Sequence, residues 1–110
     1  MTKNTNIIYE VEDSLALITI NRPERKNALD SETLEMLNRA MDFAEEDNEI
    51  KAIIISGKGN TFSSGFDLKD QLKKSPKGKE WKEILDLDFN TIMRFWHSPK
   101  PTIAAIRGAC

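Results

Sequence analysis

The run Ala52-Ile53-Ile54-Ile55-Ser56 constrains this chain more than any other stretch. A short apolar segment bounded by turn residues is the pattern of a buried, parallel strand. Its β-branched side chains favour the extended backbone. Asp47-Asn48-Glu49 precedes it and Gly57-Lys58-Gly59-Asn60 follows it, so the strand has clear limits on both sides. With 110 residues the chain can bury one modest core.

The elements around that strand follow from periodicity. Ile7–Val11 and Leu15–Ile20 are apolar runs separated by Glu12-Asp13-Ser14, which predicts a β-hairpin. In the second run Leu15, Leu17 and Thr19 fall on one side and Ala16, Ile18 and Ile20 on the other. Both sides are largely apolar, so both are expected to be covered. Asn21–Asn27 breaks the strand: Pro23 lacks a ladder donor, and Arg22, Glu24, Arg25 and Lys26 require solvent. Asp30 is a helix N-cap, with Leu29 and Leu34 at the hydrophobic-staple positions. Leu34, Leu37, Met41 and Ala44 then recur at helical spacing, predicting a helix from Ser31 to about Glu46. Its acids read as a solvated face. A second helix is expected over Glu80–His97, where Trp81, Ile84, Leu85, Phe89, Ile92, Met93 and Trp96 serve as core and subunit-contact residues. Pro99 and Pro101 force an extended path into Thr102–Ile106, a further strand expected to be buried.

The chemistry is placed in Asn60–Leu68, Asn-Thr-Phe-Ser-Ser-Gly-Phe-Asp-Leu, which follows the Ala52–Ser56 strand. The segment Asp67–Lys73 after it can be helical. A strand, a tight turn and a helix start expose backbone N–H groups with a positive dipole end behind them. That suits an anion, or an oxygen that becomes one. The plainer reading is a surface loop with glycine at its tight point. Gly57-x-Gly59 invites a dinucleotide reading, but Phe62 stands where a third glycine is needed, and there is no Gly-Lys-Ser/Thr for a P-loop.

Three stretches carry a resemblance. Phe62-Ser63-Ser64-Gly65-Phe66-Asp67-Leu68 resembles the oxyanion-loop signature of the crotonase, or enoyl-CoA hydratase/isomerase, superfamily. Asn21-Arg22-Pro23-Glu24-Arg25-Lys26-Asn27-Ala28-Leu29 resembles its other N-terminal signature, and Pro99–Gly108 resembles the lead-in to its Gly-rich turn. All three occur in the family's order. The resemblance implies an α/β fold, the N-terminal part of a crotonase-like ββα spiral, cut at the Gly-rich turn. It implies an enzyme that stabilises the enolate of an acyl-CoA thioester, by enoyl-CoA hydration or double-bond isomerisation. The first oxyanion donor is then the N–H of Phe66, with Gly65 allowing the sharp turn. Phe66 departs from the alanine common in hydratases and is expected to add bulk or an aromatic wall near the acyl group. Lys26, Ala28 and Leu29 on one side, and Ser64, Gly65, Phe66, Asp67 and Leu68 on the other, are implied as substrate-binding. Asp67 is expected to hold the loop. The second donor and the acid and base residues are expected beyond Cys110. No separate cofactor is implied, since coenzyme A is part of the substrate. The family resemblance also implies a homotrimer or hexamer. A non-catalytic acyl-CoA-binding or assembly module with the same fold is the alternative.

Composition excludes other classes. The formal net charge of −2 argues against nucleic acid or an anionic membrane as partner. A single cysteine, Cys110, forms no internal disulfide, and no signal-peptide or membrane-length apolar run is present, so a cytoplasmic location is expected. The lysines of Lys69–Lys79 read as a solvated connector, with attraction of CoA phosphates as the functional alternative. His97 has no nearby companion for metal binding or base catalysis and reads as a helix C-terminal residue.

Overall fold

The computed structural model describes residues 5–67 and 78–108. Strands β1 (Ile7–Glu12) and β2 (Leu15–Ile20) form the expected antiparallel hairpin, with Glu12 opposite Leu15. Only Asp13 and Ser14 make the turn. Asp13 adopts a left-handed φ of 56°, as a tight hairpin requires and an aspartate tolerates. Helix α1 (Ser31–Glu46) then leads to β3 (Ala52–Gly57), which pairs in parallel with β2. Helix α2 (Gly78–His97) leads to β4 (Thr102–Ala105), parallel to β3. The sheet order is β1-β2-β3-β4, the α/β arrangement with ββα order expected from the sequence. The segment expected to be helical after Asp67 lies outside the described residues, as do Leu68 and the lysines Lys69, Lys73, Lys74 and Lys77.

Helix α1 starts and stops for identifiable reasons. The Asp30 carboxylate accepts from the Thr33 N–H at 2.9 Å and from the Thr33 hydroxyl. Leu29 and Leu34 flank that cap and are both buried. At the other end Lys100 Nζ donates to the carbonyls of Ala44 at 2.7 Å and Asp47 at 2.6 Å. A distant lysine thus satisfies acceptors that the helix end leaves open. Leu34, Leu37, Ala40, Met41 and Ala44 face a core completed by Ala16, Ile18, Ile20, Ile53 and Ile55.

Three expectations are corrected. The second strand is fully covered on only one face: Ala16, Ile18 and Ile20 are buried, whereas Leu15, Leu17 and Thr19 are half-buried. The reason is that α1, with Leu87 and Phe95 of α2, packs against the same cluster, leaving the other face without a helix among the described residues. The segment Thr102–Ile106 is not a buried strand. Its strand is Thr102–Ala105, among the described residues it pairs with β3 alone, at the sheet edge, and Ile103, Ala104 and Ala105 are exposed.

The third concerns only the core part of the expectation for α2. Leu85, Phe89, Ile92 and Trp96, spaced as one helical stripe, are exposed rather than in the core, and Trp96 is 80% exposed. Asp88 and Thr91 are buried instead. Polar groups on α1 set this rotation. Asn38 donates to the Thr91 hydroxyl at 2.9 Å, and Arg94 donates to the Asn38 carbonyl at 2.9 Å while pairing with Asp42 and Glu45. Burial opposes the Arg94 charge, but the hydrogen bonds to Asp42 and Glu45 outweigh it and hold its pKa above the ordinary value. His97 closes the helix and is exposed. Among the described residues no helix is long and apolar enough to cross a membrane.

An exposed apolar stripe together with a strand edge that has no partner among the described residues favours association. The isolated 110-residue chain is expected to self-associate and to show no enoyl-CoA turnover. Phe89→Lys combined with Trp96→Lys should raise the monomer fraction in sedimentation velocity. An unchanged distribution would place the association elsewhere.

Candidate active site

The candidate site forms where the loops leaving β2 and β3 meet at the same end of two parallel strands. That is the usual position for ligands in α/β sheets. After Ile20 the chain makes a 3-10 turn over Pro23–Arg25, in which proline's fixed φ suits the first position. Lys26 and Asn27 follow with φ of 54° and 57°. Two successive left-handed residues are costly for side chains other than glycine, so other bonds must hold them.

Asn27 supplies those bonds. Its side chain is completely buried. Nδ2 donates to the carbonyls of Lys58 at 3.0 Å and Thr61 at 2.6 Å, and Oδ1 accepts from the Arg22 N–H at 2.8 Å. One amide therefore ties the turn after β2 to the loop after β3. Gly57 lets these loops close: a Cβ there would lie 2.2 Å from the Phe62 carbonyl oxygen. This is a packing role, unrelated to nucleotide binding. Gly108 has the same function from the third motif, since a Cβ would lie 1.9 Å from the Asn60 carbonyl oxygen.

The two motifs then run side by side. Ser64 N–H donates to the Lys26 carbonyl at 3.0 Å, Leu29 N–H to the Gly65 carbonyl at 2.8 Å, and Asp67 N–H to the Leu29 carbonyl at 2.8 Å. Leu29 and Phe66 thus form a parallel bridge. In such a bridge the N–H of the central residue faces away from the partner strand. The peptide is trans, so its N–H and C=O point in opposite directions. With the Gly65 carbonyl directed at Leu29, the Phe66 N–H is directed outward, and it has no acceptor among the described residues. Gly65 has a φ of 96°, and a Cβ added there would meet nothing within 4 Å. Glycine is required here by backbone conformation, and the space above it is open.

Asp67 is buried and faces inward. Its carboxylate lies 3.4 Å from the Arg22 guanidinium and 3.8 Å from that of Arg25, while Arg22 also reaches Asp30 at 3.4 Å. These pairs fasten the end of the loop, so any contribution of Asp67 to a ligand comes from its main chain. The Phe66 ring is partly buried and packs against the core cluster. A cleft of about 470 Å³ borders Ser63, Ser64 and Gly65, and Leu37, Ile55, Ile92 and Phe95 give it an apolar lining.

Residues 10–110 match the family model for enoyl-CoA hydratase/isomerase. The chain belongs to the enoyl-CoA hydratase/isomerase family. A crystal structure of an enoyl-CoA hydratase/isomerase from Xanthobacter autotrophicus Py2 superimposes with a TM-score of 0.94 at 56% identity, covering 98% of this chain and 40% of that one. The probable enoyl-CoA hydratase of Bacillus subtilis is 41% identical over 94% of this chain and 39% of its own length. The short-chain-enoyl-CoA hydratase of Clostridium acetobutylicum is 35% identical over 94% of this chain and 39% of its own length. The chain therefore spans about 40% of the length of these family members.

Within this family chain, Lys26, Ala28 and Leu29 are brought against Ser64, Gly65, Phe66 and Asp67, while Leu68 lies outside the described residues. Sequence reasoning gave no role to Asn27 or Ser63, and it placed the Arg22 charge in solvent, whereas that side chain is only 11% exposed and pairs with Asp30 and Asp67. The available signal for Asn27 was its residue type, because asparagine tolerates the left-handed region and bonds to nearby backbone. Replacing Asn27 with Ala should remove three part-buried hydrogen bonds to the main chain, at roughly 0.5–1.5 kcal/mol each. We expect a loss of about 2–4 kcal/mol, read from the urea midpoint of the full-length protein carrying these residues.

Proposed function

We propose that these residues form the acyl-CoA-recognising part of an enzyme of the enoyl-CoA hydratase/isomerase type, with the Phe66 N–H receiving the thioester oxygen as it gains enolate charge. The observation that carries this reading is the Phe66 N–H itself, directed outward and without an acceptor among the described residues. A buried or half-buried amide without a partner is costly, and a ligand oxygen relieves that cost. Being fixed beforehand, the donor needs no reorganisation when the charge develops. The second donor and the acid and base that complete hydration or isomerisation belong to the part of the family fold that these residues do not span. Leu29, Ser64 and Gly65 border the cleft, Lys26 is exposed beside them, and Ala28 and Asp67 are buried, so that they contribute through the main chain.

Side-chain and main-chain changes at Phe66 separate this reading from a mere packing role. Phe66→Ala keeps the donor and should lower stability through lost core contact, with turnover largely retained. Phe66→Pro deletes the donor. In the full-length protein it should reduce kcat about a hundredfold to a thousandfold, with a smaller effect on ground-state binding. Circular dichroism controls for folding, because proline also restricts Gly65. A folded Phe66→Pro protein with kcat near the parent value sinks the assignment. Acyl-CoA binding without any turnover in the parent would favour the non-catalytic module.

A further inference from the structure

The group that orients Gly65 is the hydroxyl of Ser63, a residue distinct from the exposed Ser64. Ser63 is buried. Its Oγ donates to the Asn27 carbonyl at 2.9 Å and accepts from the Gly65 N–H at 3.0 Å. One hydroxyl therefore uses its proton on one motif and its lone pair on the other. The Gly65 amide is held on its N–H side by Ser63, and its carbonyl is held by Leu29 at 2.8 Å. Those two bonds fix both ends of the only residue between Ser64 and the Phe66 donor. Gly65 also lies in the left-handed region with open space above it, so no side-chain contact of its own restrains it. Without the Ser63 bond, glycine can explore a wide range of φ.

We propose that Ser63 is the positioning residue of the oxyanion loop: its hydroxyl, committed to the Asn27 carbonyl and the Gly65 N–H, sets the direction of the Phe66 N–H through Gly65. The proposal rests on the role given above to Phe66. A donor aimed at a developing charge loses most of its effect when displaced by about an ångström, an error worth roughly a hundredfold in rate. Loss of a positioning hydrogen bond should therefore appear in kcat. It should leave KM nearly unchanged, because the thioester carbonyl of the ground state accepts more weakly than the enolate oxygen.

The test compares the full-length parent with Ser63→Ala, Ser63→Thr and Phe66→Pro, using enoyl-CoA turnover and hydrogen exchange at the Gly65 amide. Ser63→Ala should lower kcat roughly tenfold to a hundredfold with little change in KM. It should also speed exchange at Gly65, because that N–H loses its acceptor. Ser63→Thr keeps the hydroxyl and should restore both Gly65 protection and most of kcat. Unchanged Gly65 protection in Ser63→Ala overturns the proposal whatever the rate, and this readout does not depend on the threonine variant folding. Normal kcat in Ser63→Ala with impaired Phe66→Pro also overturns it while leaving the Phe66 role intact. Normal kcat in both variants shows that the Phe66 role itself is wrong.

Discussion

The buried amide of Asn27 is the interaction on which the site depends. It spends its donors on the loop after β3 and its acceptor on the turn after β2. Both loops leave neighbouring parallel strands, so the sheet brings them close, but closeness alone does not set a register between them. Asn27 does, because its bonds are short-range and directional and its position is closed to water. The left-handed backbone at Lys26 and Asn27 is the accompanying cost. It is offset by bonds that only this local conformation permits.

With that register fixed, the rest of the site is main chain. Lys26 and Leu29 present carbonyls to Ser64 and Asp67, and Leu29 presents its N–H to Gly65. The Phe66 N–H is left facing outward because the alternation of a parallel bridge allows no other direction. Charged side chains take a secondary part. Arg22 and Arg25 gather around the buried Asp67 and hold the far end of the loop, and Arg22 also joins Asp30, the cap of α1. The start of α1 and the end of the loop after β3 are therefore fastened by one guanidinium. Such buried pairs are better evidence of fixed geometry than of net stability.

The described surface is divided between a closed core and an open flank. On the closed side α1 and the inner face of α2 cover β2 and β3. On the open flank the stripe Leu85, Phe89, Ile92 and Trp96 and the exposed strand β4 present apolar surface. The chain spans about 40% of the length of its relatives. Arg94 decides which side of α2 faces inward, because its bonds to Asn38, Asp42 and Glu45 can form in only one rotation of the helix.

Local sequence determined the elements. The hairpin, the capped helix from Ser31 and the isoleucine strand each follow from periodicity and turn chemistry, which act over a few residues. The family was legible in three short motifs whose order alone is informative. Two things lay beyond sequence reading. The apolar pattern of α2 fits more than one rotation, so its buried face was settled by polar partners on α1, more than forty residues away in the chain. The exposure of β4 likewise depends on what lies beside it, which no property of Thr102–Ala105 can reveal. In the site the residue types Ser63 and Asn27 were visible, but their roles were not. A serine or asparagine bonds to whichever backbone group the fold places within about 3 Å, and only the tertiary structure made those groups Gly65, Lys58 and Thr61.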